Sequence, residues 1–165
     1  AWKGFMESRE WGWCSKVPRM IGCQPIGADS LHVSLERRTK YAVELPPIKS
    51  VAFSTMETVA CDQTLEAIRQ SDGSAHSAAE SEILEAVDQL STEGISVEAS
   101  SALPVACLSS LSQFYQLDKN SIVVCVLTAS HRNPKANSSD SIGFQRIDPL
   151  EDQLDDYLRN QGLLN

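Results

Sequence analysis

The sequence contains no long hydrophobic run, and this excludes a membrane-spanning helix. Its longest apolar stretch, Ile122–Leu127, has six residues, whereas a span needs about 20. The N-terminus also lacks the pattern of a secretory signal peptide. We therefore expect a cytoplasmic protein, or one of a plastid-like soluble compartment after processing. Because the chain begins with Ala1 rather than Met, we expect a processed product or a cut fragment.

Paired cysteines and clustered histidines are also absent. The five cysteines are an odd number without any C-x-x-C pair, which favours reduced thiols over a disulfide framework. The three histidines share no metal-ligand spacing with each other or with a cysteine. No metal site is therefore predicted. The cysteines are Cys14, Cys23, Cys61, Cys107 and Cys125.

Several common functional signatures are missing. The sequence has no G-x-S-x-G motif, no P-loop and no G-x-G-x-x-G motif. The common types of serine hydrolase and nucleotide-binding site are therefore excluded. Basic residues are outnumbered 14 to 22 by acidic ones, giving a net charge of −8. An acidic chain is repelled by phosphate backbones, so we do not expect a nucleic acid as partner. We expect no membrane partner either, because the chain lacks an apolar run long enough to span one.

What is present is an alternation of helix and strand signals in a chain of 165 residues, enough for one domain. Strands are predicted at 20–23, 94–97 and 122–127, and 25–49 reads as irregular. The pattern predicts an α/β fold, a mainly parallel sheet with helices on both faces. The predicted helices are 2–12, a short one through Leu65 and Ile68, one opened by a Ser77/Glu80 capping box and ended by Gly94, one from near Ser101, and a last one starting at Asp148.

Two polar residues follow predicted strands. Thr128 ends the strongest strand and Glu98 ends the brief one before the Ser101 helix. In an open parallel sheet, ligands bind beyond the carboxyl ends of the strands, so both side chains are candidates for one pocket. The alternative is that they are ordinary loop or cap residues.

Four stretches of the sequence resemble segments of a known enzyme family, and they occur in the same order and at the same spacing as in that family. They are "AWKGFMES" followed by "KVPRMIGCQPIGA", then "SVAFS", then "SAAESEILEAVDQLSTEGISVEASSALPVACLSSL", and "SIVVCVLTAS". Together they resemble the C-terminal half of threonine synthase, in the fold-type II (tryptophan synthase β-like) family of pyridoxal-phosphate enzymes. One difference follows Thr128, where the family has glycine and this chain has Ala129.

The resemblance implies pyridoxal phosphate as the cofactor of the complete parent protein. It implies that Thr128 hydrogen-bonds the pyridine nitrogen and that Glu98 lies near the cofactor ring. It also implies that the helix from Trp2 follows the phosphate loop, which would place Trp2, Lys3 and Gly4 next to the phosphate site. The Schiff-base lysine and the phosphate loop lie upstream in the family, so no catalytic residue is assigned in this chain. Residues 1–147 would be the C-terminal part of the large cofactor-binding domain, and 148–165 a C-terminal helix.

The function implied is that of a fragment of a threonine synthase-like lyase, which converts O-phosphohomoserine and water to threonine and phosphate. The isolated chain is expected to be inactive, and an amino acid is the expected small-molecule substrate of the parent. A sister activity, such as a serine/threonine dehydratase or a cysteate synthase-like enzyme, is one alternative. A non-catalytic α/β module that binds a partner is another. A chain cut from its sheet is expected to self-associate through exposed edges.

Overall fold

A computed structural model describes residues 1–130 of the chain. Within this part, no helix combines the length and the apolar character needed to cross a lipid bilayer. The elements in chain order are α1 (Trp2–Glu10), β1 (Ile21–Pro25), α2 (Ser30–Glu36), a 3₁₀ turn (Phe53–Thr55), α3 (Asp62–Gln70), β2 (Ser74–Ala78), α4 (Glu80–Thr92), α5 (Ala99–Ala106) and α6 (Leu108–Tyr115).

The described sheet is a parallel pair of strands, β1 and β2. Their register aligns Ile21 with Ser74 and Pro25 with Ala78. The predicted strand at 20–23 is confirmed as β1. Strand β2 was not predicted, because its sequence Ser-Ala-His-Ser-Ala is small and polar and carries no β-branched signal.

Successive side chains of a strand point to opposite sides of the sheet, so the strand pair has two faces. Helices cover both of them. Gly22 and its partner Ala75 face a core cluster that contains Leu31 of α2 together with two residues of α3. On the other face, Cys23 and Ala78 pack against a cluster built from the 3₁₀ region, α4 and α5. The α/β class with a parallel sheet is therefore confirmed.

Helix α4 shows how local sequence sets its own ends. Its buried stripe consists of Ile83, Ala86 and Leu90. At the C-terminus, Gly94 adopts φ +79° and the Ile95 N–H donates to the Leu90 carbonyl at 2.9 Å, the Schellman arrangement expected of a glycine terminator.

The predicted N-terminus of α4 is wrong by two residues. Glu82, rather than Glu80, accepts the hydrogen bond, from the Ala79 N–H at 2.7 Å. Ser77 lies inside β2 instead, where its hydroxyl donates to Asp29 at 2.7 Å. Pairing with β1 therefore overrides the capping-box spacing.

Two predicted strands are wrong. Residues 94–97 and 122–127 form no strand, because neither segment has a backbone partner strand within residues 1–130. Without a partner strand and its covering helices, the apolar run remains largely outside the core, with Ile122 91% and Val124 79% exposed.

The helical part of the prediction also needs two corrections. The stretch read as irregular, 25–49, contains α2. The helix expected from near Ser101 is two short helices, α5 and α6, which meet at Cys107. The helix predicted from Asp148, and with it the boundary between 147 and 148, lies outside the described residues.

His76 is a buried polar residue at the centre of β2. Its ring nitrogen Nε2 lies 2.9 Å from the Ser74 hydroxyl, and its ring meets Phe114 edge-on at 5.5 Å. Burial lowers the pKa of His76, and the positive potential of His32 lowers it further. The folded chain therefore holds His76 in its neutral form more strongly than the unfolded chain does.

Gly73 precedes β2 at a point of close backbone approach. A Cβ at this position would overlap the carbonyl group of Met20 just before β1, and would lie 3.0 Å from the Ser71 hydroxyl oxygen. The Met20 N–H in turn donates to that hydroxyl at 2.9 Å. The start of the β1–β2 pair therefore requires glycine here.

Replacing Gly73 by alanine is expected to lower the free energy of unfolding by about 1–3 kcal/mol, because backbone rather than a flexible side chain must move. Urea denaturation followed by circular dichroism measures the change. Gly4→Ala in α1 is the matched control, since nothing lies within 4 Å of its added methyl group. That control should be neutral or stabilising by up to about 1 kcal/mol. Equal stability of G73A and G4A would contradict the packing argument.

Stability is expected to fall as the pH drops below about 6.5, the ordinary histidine value. The unfolded chain takes up a proton on His76 at that pH, whereas the folded chain resists protonation until a lower pH, so protons favour unfolding. Urea midpoints measured between about pH 7.5 and 5.5 test this. H76Q should flatten the profile, whereas H32Q should keep most of the slope because burial is the larger cause. An unchanged slope in H76Q would refute the assignment.

Candidate functional site

The candidate site lies at the carboxyl edge of the β1–β2 pair, where loops leave both strands. The segment 51–54 connects this edge to the start of α5. The Val51 N–H donates to a carboxylate oxygen of Glu80, just after β2, at 2.8 Å. The Ser54 N–H donates to the Ser100 hydroxyl, in the first turn of α5, at 3.2 Å. These bonds bring the strand ends and the α5 N-terminus into one region.

Ser101 joins this region to the segment that contains Thr128. Its hydroxyl oxygen lies 3.0 Å from the Thr128 hydroxyl oxygen and accepts the Ala129 N–H at 2.8 Å. The Ala129 carbonyl accepts the Glu98 N–H at 3.2 Å. The two candidate residues are far apart in sequence, and these hydroxyl and backbone contacts hold them side by side.

The exposure of these side chains differs in a way that matters chemically. Ser101 is 2% exposed, whereas Thr128 is exposed and Glu98 is half-buried. A buried serine hydroxyl therefore contacts the hydroxyl of an exposed threonine, and the backbone of a half-buried glutamate is hydrogen-bonded to the residue that follows this threonine.

The sequence singled out Thr128 and Glu98 as candidates, and their roles remain predictions; it did not single out Ser101. The sequence gives only a weak signal for Ser101. Its hydroxyl lies among apolar residues of a helix that packs on the sheet. A buried hydroxyl needs a hydrogen-bond partner, and here the partners come from a segment with no regular structure. Sequence spacing alone does not reveal such a contact.

A second polar cluster shapes the turn after β1. The Asp29 carboxylate accepts the Gly27 N–H at 3.0 Å and the Ser77 hydroxyl at 2.7 Å. The Gln24 side chain donates to the Ala28 carbonyl and accepts the Leu31 N–H, each at 2.9 Å. These bonds satisfy the groups internally, so the cluster fixes the loop geometry at the edge of the site.

The residues expected beside the cofactor phosphate lie in a different place. Trp2 and Lys3 line an open cleft of about 400 Å³, together with the amino-terminal half of β1 and one side of α3. The residues that line this cleft include neither Glu98 nor Thr128. The placement of Trp2, Lys3 and Gly4 next to a phosphate site therefore remains a prediction.

The lysines of the described part are all exposed, and none lies at the candidate site. Lys3 pairs with Glu7 at 3.5 Å, and the Lys40 ammonium group lies 5.0 Å from the centre of the Tyr41 ring. In residues 1–130, no three His, Cys, Asp or Glu side chains are grouped so that they could hold a metal ion. The exposed lysines are Lys3, Lys16, Lys40, Lys49 and Lys119.

Comparison with known proteins identifies the family. The model of the pyridoxal-phosphate dependent enzymes matches residues 1–129. The chain belongs to this family. Threonine synthase of Methanocaldococcus jannaschii is 32% identical over 130 residues, which cover 77% of this chain and 32% of that protein. Threonine synthase of Mycobacterium tuberculosis is 31% identical over 153 residues, covering 90% of this chain and 41% of that protein.

Solved structures agree on the fold. The T.th. threonine deaminase aligns with a TM-score of 0.51 and 25% identity over 68% of this chain and 39% of that one. The processed threonine deaminase isoform 2 of Solanum lycopersicum aligns with a TM-score of 0.60 and 20% identity, over 79% of this chain and 37% of that one. The fold-type II resemblance is therefore confirmed, and the chain spans about a third to two fifths of the threonine synthases that it matches.

The family uses pyridoxal phosphate, and the residues at the α5 N-terminus fit one part of it. A pyridine nitrogen can be held by a hydroxyl group, and the Thr128 hydroxyl, which contacts Ser101, is of the right chemical type to do so. The amine that would hold the cofactor covalently is not supplied at this site by any lysine of the described part. The chain thus fits the ring-nitrogen side of a cofactor site.

Removing the Ser101 hydroxyl should free the Ala129 amide, because that N–H then loses its acceptor. In S101A, hydrogen exchange at Ala129 is expected to accelerate about tenfold, the equivalent of one hydrogen bond of roughly 1.4 kcal/mol. Peptide-resolved exchange monitored by mass spectrometry measures the rate. S100A is the control, since the neighbouring hydroxyl bonds Ser54 instead. Unchanged exchange at Ala129 in S101A would show that the contact does not hold the segment.

Proposed function

We propose that this chain is part of a threonine synthase-type lyase, which in its complete form converts O-phosphohomoserine and water to threonine and phosphate. The observation that carries the proposal is the Ser101–Thr128 hydroxyl contact at the start of α5. It lies within the residues that match the family. Threonine synthases at 30–32% identity match most of this chain, 77% of it in the M. jannaschii enzyme and 90% in the M. tuberculosis enzyme.

Pyridoxal phosphate supplies the electron sink that such eliminations and replacements require. The task of this chain is to hold the ring nitrogen. A neutral threonine hydroxyl leaves a pyridine nitrogen largely unprotonated, which moderates the electron sink and suits β- and γ-carbon chemistry. Ser101 positions the hydroxyl, since its own oxygen is buried and bonded on two sides.

Glu98 would lie at the rim of the same site. Its backbone N–H donates to the Ala129 carbonyl at 3.2 Å, and the residue is half-buried. Ala129 stands where the family has glycine, and it adds a Cβ at a position where glycine would allow the backbone to approach a ligand closely. We infer that this methyl group narrows the approach to the ring.

The isolated chain is expected to be inactive. The exposed lysines leave its described part without a buried amine that could hold the cofactor. The parent would supply this group and a phosphate-binding loop, and the substrate would be an amino acid that carries a leaving group.

A sister activity is the second candidate. The T.th. threonine deaminase, at 25% identity, aligns with this chain as well. Dehydration of serine or threonine would use the same ring-nitrogen contact. The two activities differ in the leaving group, which is phosphate in one and hydroxide in the other.

A chimeric enzyme tests the proposal. Residues 1–129 replace the matching stretch of the M. jannaschii threonine synthase, and the product is assayed for bound pyridoxal phosphate by absorbance and for phosphate release from O-phosphohomoserine. We expect both signals. Thr128→Val should lower kcat about tenfold, since one hydrogen bond to the ring is lost. Thr92→Val is the control, because that hydroxyl only bonds the Gln89 carbonyl of α4.

Other results would separate the alternatives. A folded chimera that binds the cofactor and deaminates serine or threonine, without releasing phosphate, would favour the sister activity. A folded chimera without cofactor absorbance would overturn the catalytic proposal and favour a partner-binding module.

A further inference from the structure

The segment that leads to Thr128 has one face on the protein and one face in solvent. From Val124 to Ala129, exposed and half-buried residues alternate, which is the period of an extended chain with side chains on two opposite sides. On the inner side, Leu127 packs against the core cluster of α4 and α5 that contains Leu90 and Ala102. The segment therefore lies along the protein like a strand, with one side covered.

The outer side of this segment carries a row of large aliphatic side chains. Ile122 is 91% exposed, Val124 79% and Val126 65%; we call these three residues the outer row. Residues 120–130 contain no charged side chain, so nothing in the segment itself keeps the row soluble. A contiguous apolar patch of this kind marks an interaction surface more often than a free surface.

The backbone of the segment is also unpaired. In the part of the chain that the structure describes, the sheet consists of β1 and β2 alone, and no backbone hydrogen bond joins 122–127 to either strand. A continuous run of β-branched apolar residues is typical of a strand that is covered on both faces in a parallel sheet. The segment thus has the side chains of a doubly covered strand but only one of the two covers.

We propose that the outer row is a docking surface for the polypeptide that completes the catalytic domain of this family, and that docking pairs 122–127 as a strand. The inference rests on the proposed function, since it takes the chain to be part of a larger enzyme. The family match runs through the segment to residue 129. The chain spans between 32% and 41% of the threonine synthases that it matches, so most of the complete enzyme lies outside the matched stretch.

The position of Thr128 favours this occupant over a second copy of the chain. Thr128 is exposed and continues the alternation one step beyond Val126, so a polypeptide that covers the outer row also reaches the proposed ring-nitrogen ligand. The exposed lysines of the described part do not lie at this site, and the occupant would therefore supply the amine that holds the cofactor. A second copy would bring the same surface and a net charge of −8, which repels a like-charged copy.

Hydrogen exchange tests the docking surface directly. The intact chain is compared with the chimera in which residues 1–129 replace the matching stretch of the M. jannaschii threonine synthase. We expect the amides of 122–127 to exchange at least about a hundredfold more slowly in the chimera, because they gain strand partners there. The amides of β1, which pairs with β2 in the chain alone, are the internal reference. Equal exchange of 122–127 in the two folded proteins would overturn the proposal.

The substitution Val124→Thr tests burial of the outer row. Threonine keeps the shape and the β-branching of valine but adds a hydroxyl, which is costly only where it is buried without a partner. We expect V124T to leave the urea midpoint of the intact chain unchanged and to lower the melting temperature of the chimera by several degrees. V59T is the matched control, since Val59 is also exposed, at 45%, and lies outside the row; it should leave both proteins unchanged.

The intact chain gives an independent check. A lower urea midpoint of V124T in the chain alone would show that its own residues already cover the row, and would overturn the proposal. Where the larger chimera does not fold, residues 116–129 alone are grafted into the same relative, and the exchange and melting measurements are repeated on that protein.

The results separate the docking surface from the proposed activity. A chimera that protects 122–127 but releases no phosphate from O-phosphohomoserine would refute the proposed function and support the docking surface. A chimera that releases phosphate while 122–127 exchange as fast as in the chain alone would do the reverse. Protection that rises with the concentration of the chimera would assign the row to a second copy and overturn the proposal.

Discussion

Much of the described structure depends on the parallel pairing of β1 with β2, two five-residue strands separated by about fifty positions. The pairing demands close approach on one face, where a Cβ on Gly22 would lie 2.9 Å from a methyl group of Leu31. The pairing also demands small residues in β2, so that side chains of α2 and α3 can pack closely against the strand backbone. The loops that leave the two strands at one edge then become neighbours, and the candidate site is built on them.

The second constraint is the buried hydroxyl of Ser101. A polar atom at this depth must be satisfied, and its partners are the hydroxyl and the amide of two consecutive residues, Thr128 and Ala129. An irregular segment is thereby held against the first turn of a helix. Thr128 as a residue remains exposed, and its hydroxyl is the group that we propose as the ligand of the ring nitrogen.

The sequence predicted the helices well where the signals are local. The stripe of Ile83 and Leu90 and the glycine at position 94 require only neighbours within one helix, and α4 matches them. Prediction from the sequence failed where an element needs a partner that is distant in the chain. The serines and alanines of β2 give no strand signal, while the β-branched run at 122–127 gives a strong one and forms no strand among the described residues.

The α/β class, the family and the choice of Thr128 and Glu98 as candidates came from the sequence alone, because these depend on short patterns and on similarity along the chain. How these residues are held came from the fold. The contact of Ser101 with Thr128 and the hydrogen bond from Ser77 to Asp29 both join residues far apart in the chain. Such contacts follow from the pairing of β1 with β2 and from the packing of α5 on the strand pair, and hydrophobic periodicity specifies which face of a helix is buried but not which distant side chain it will meet.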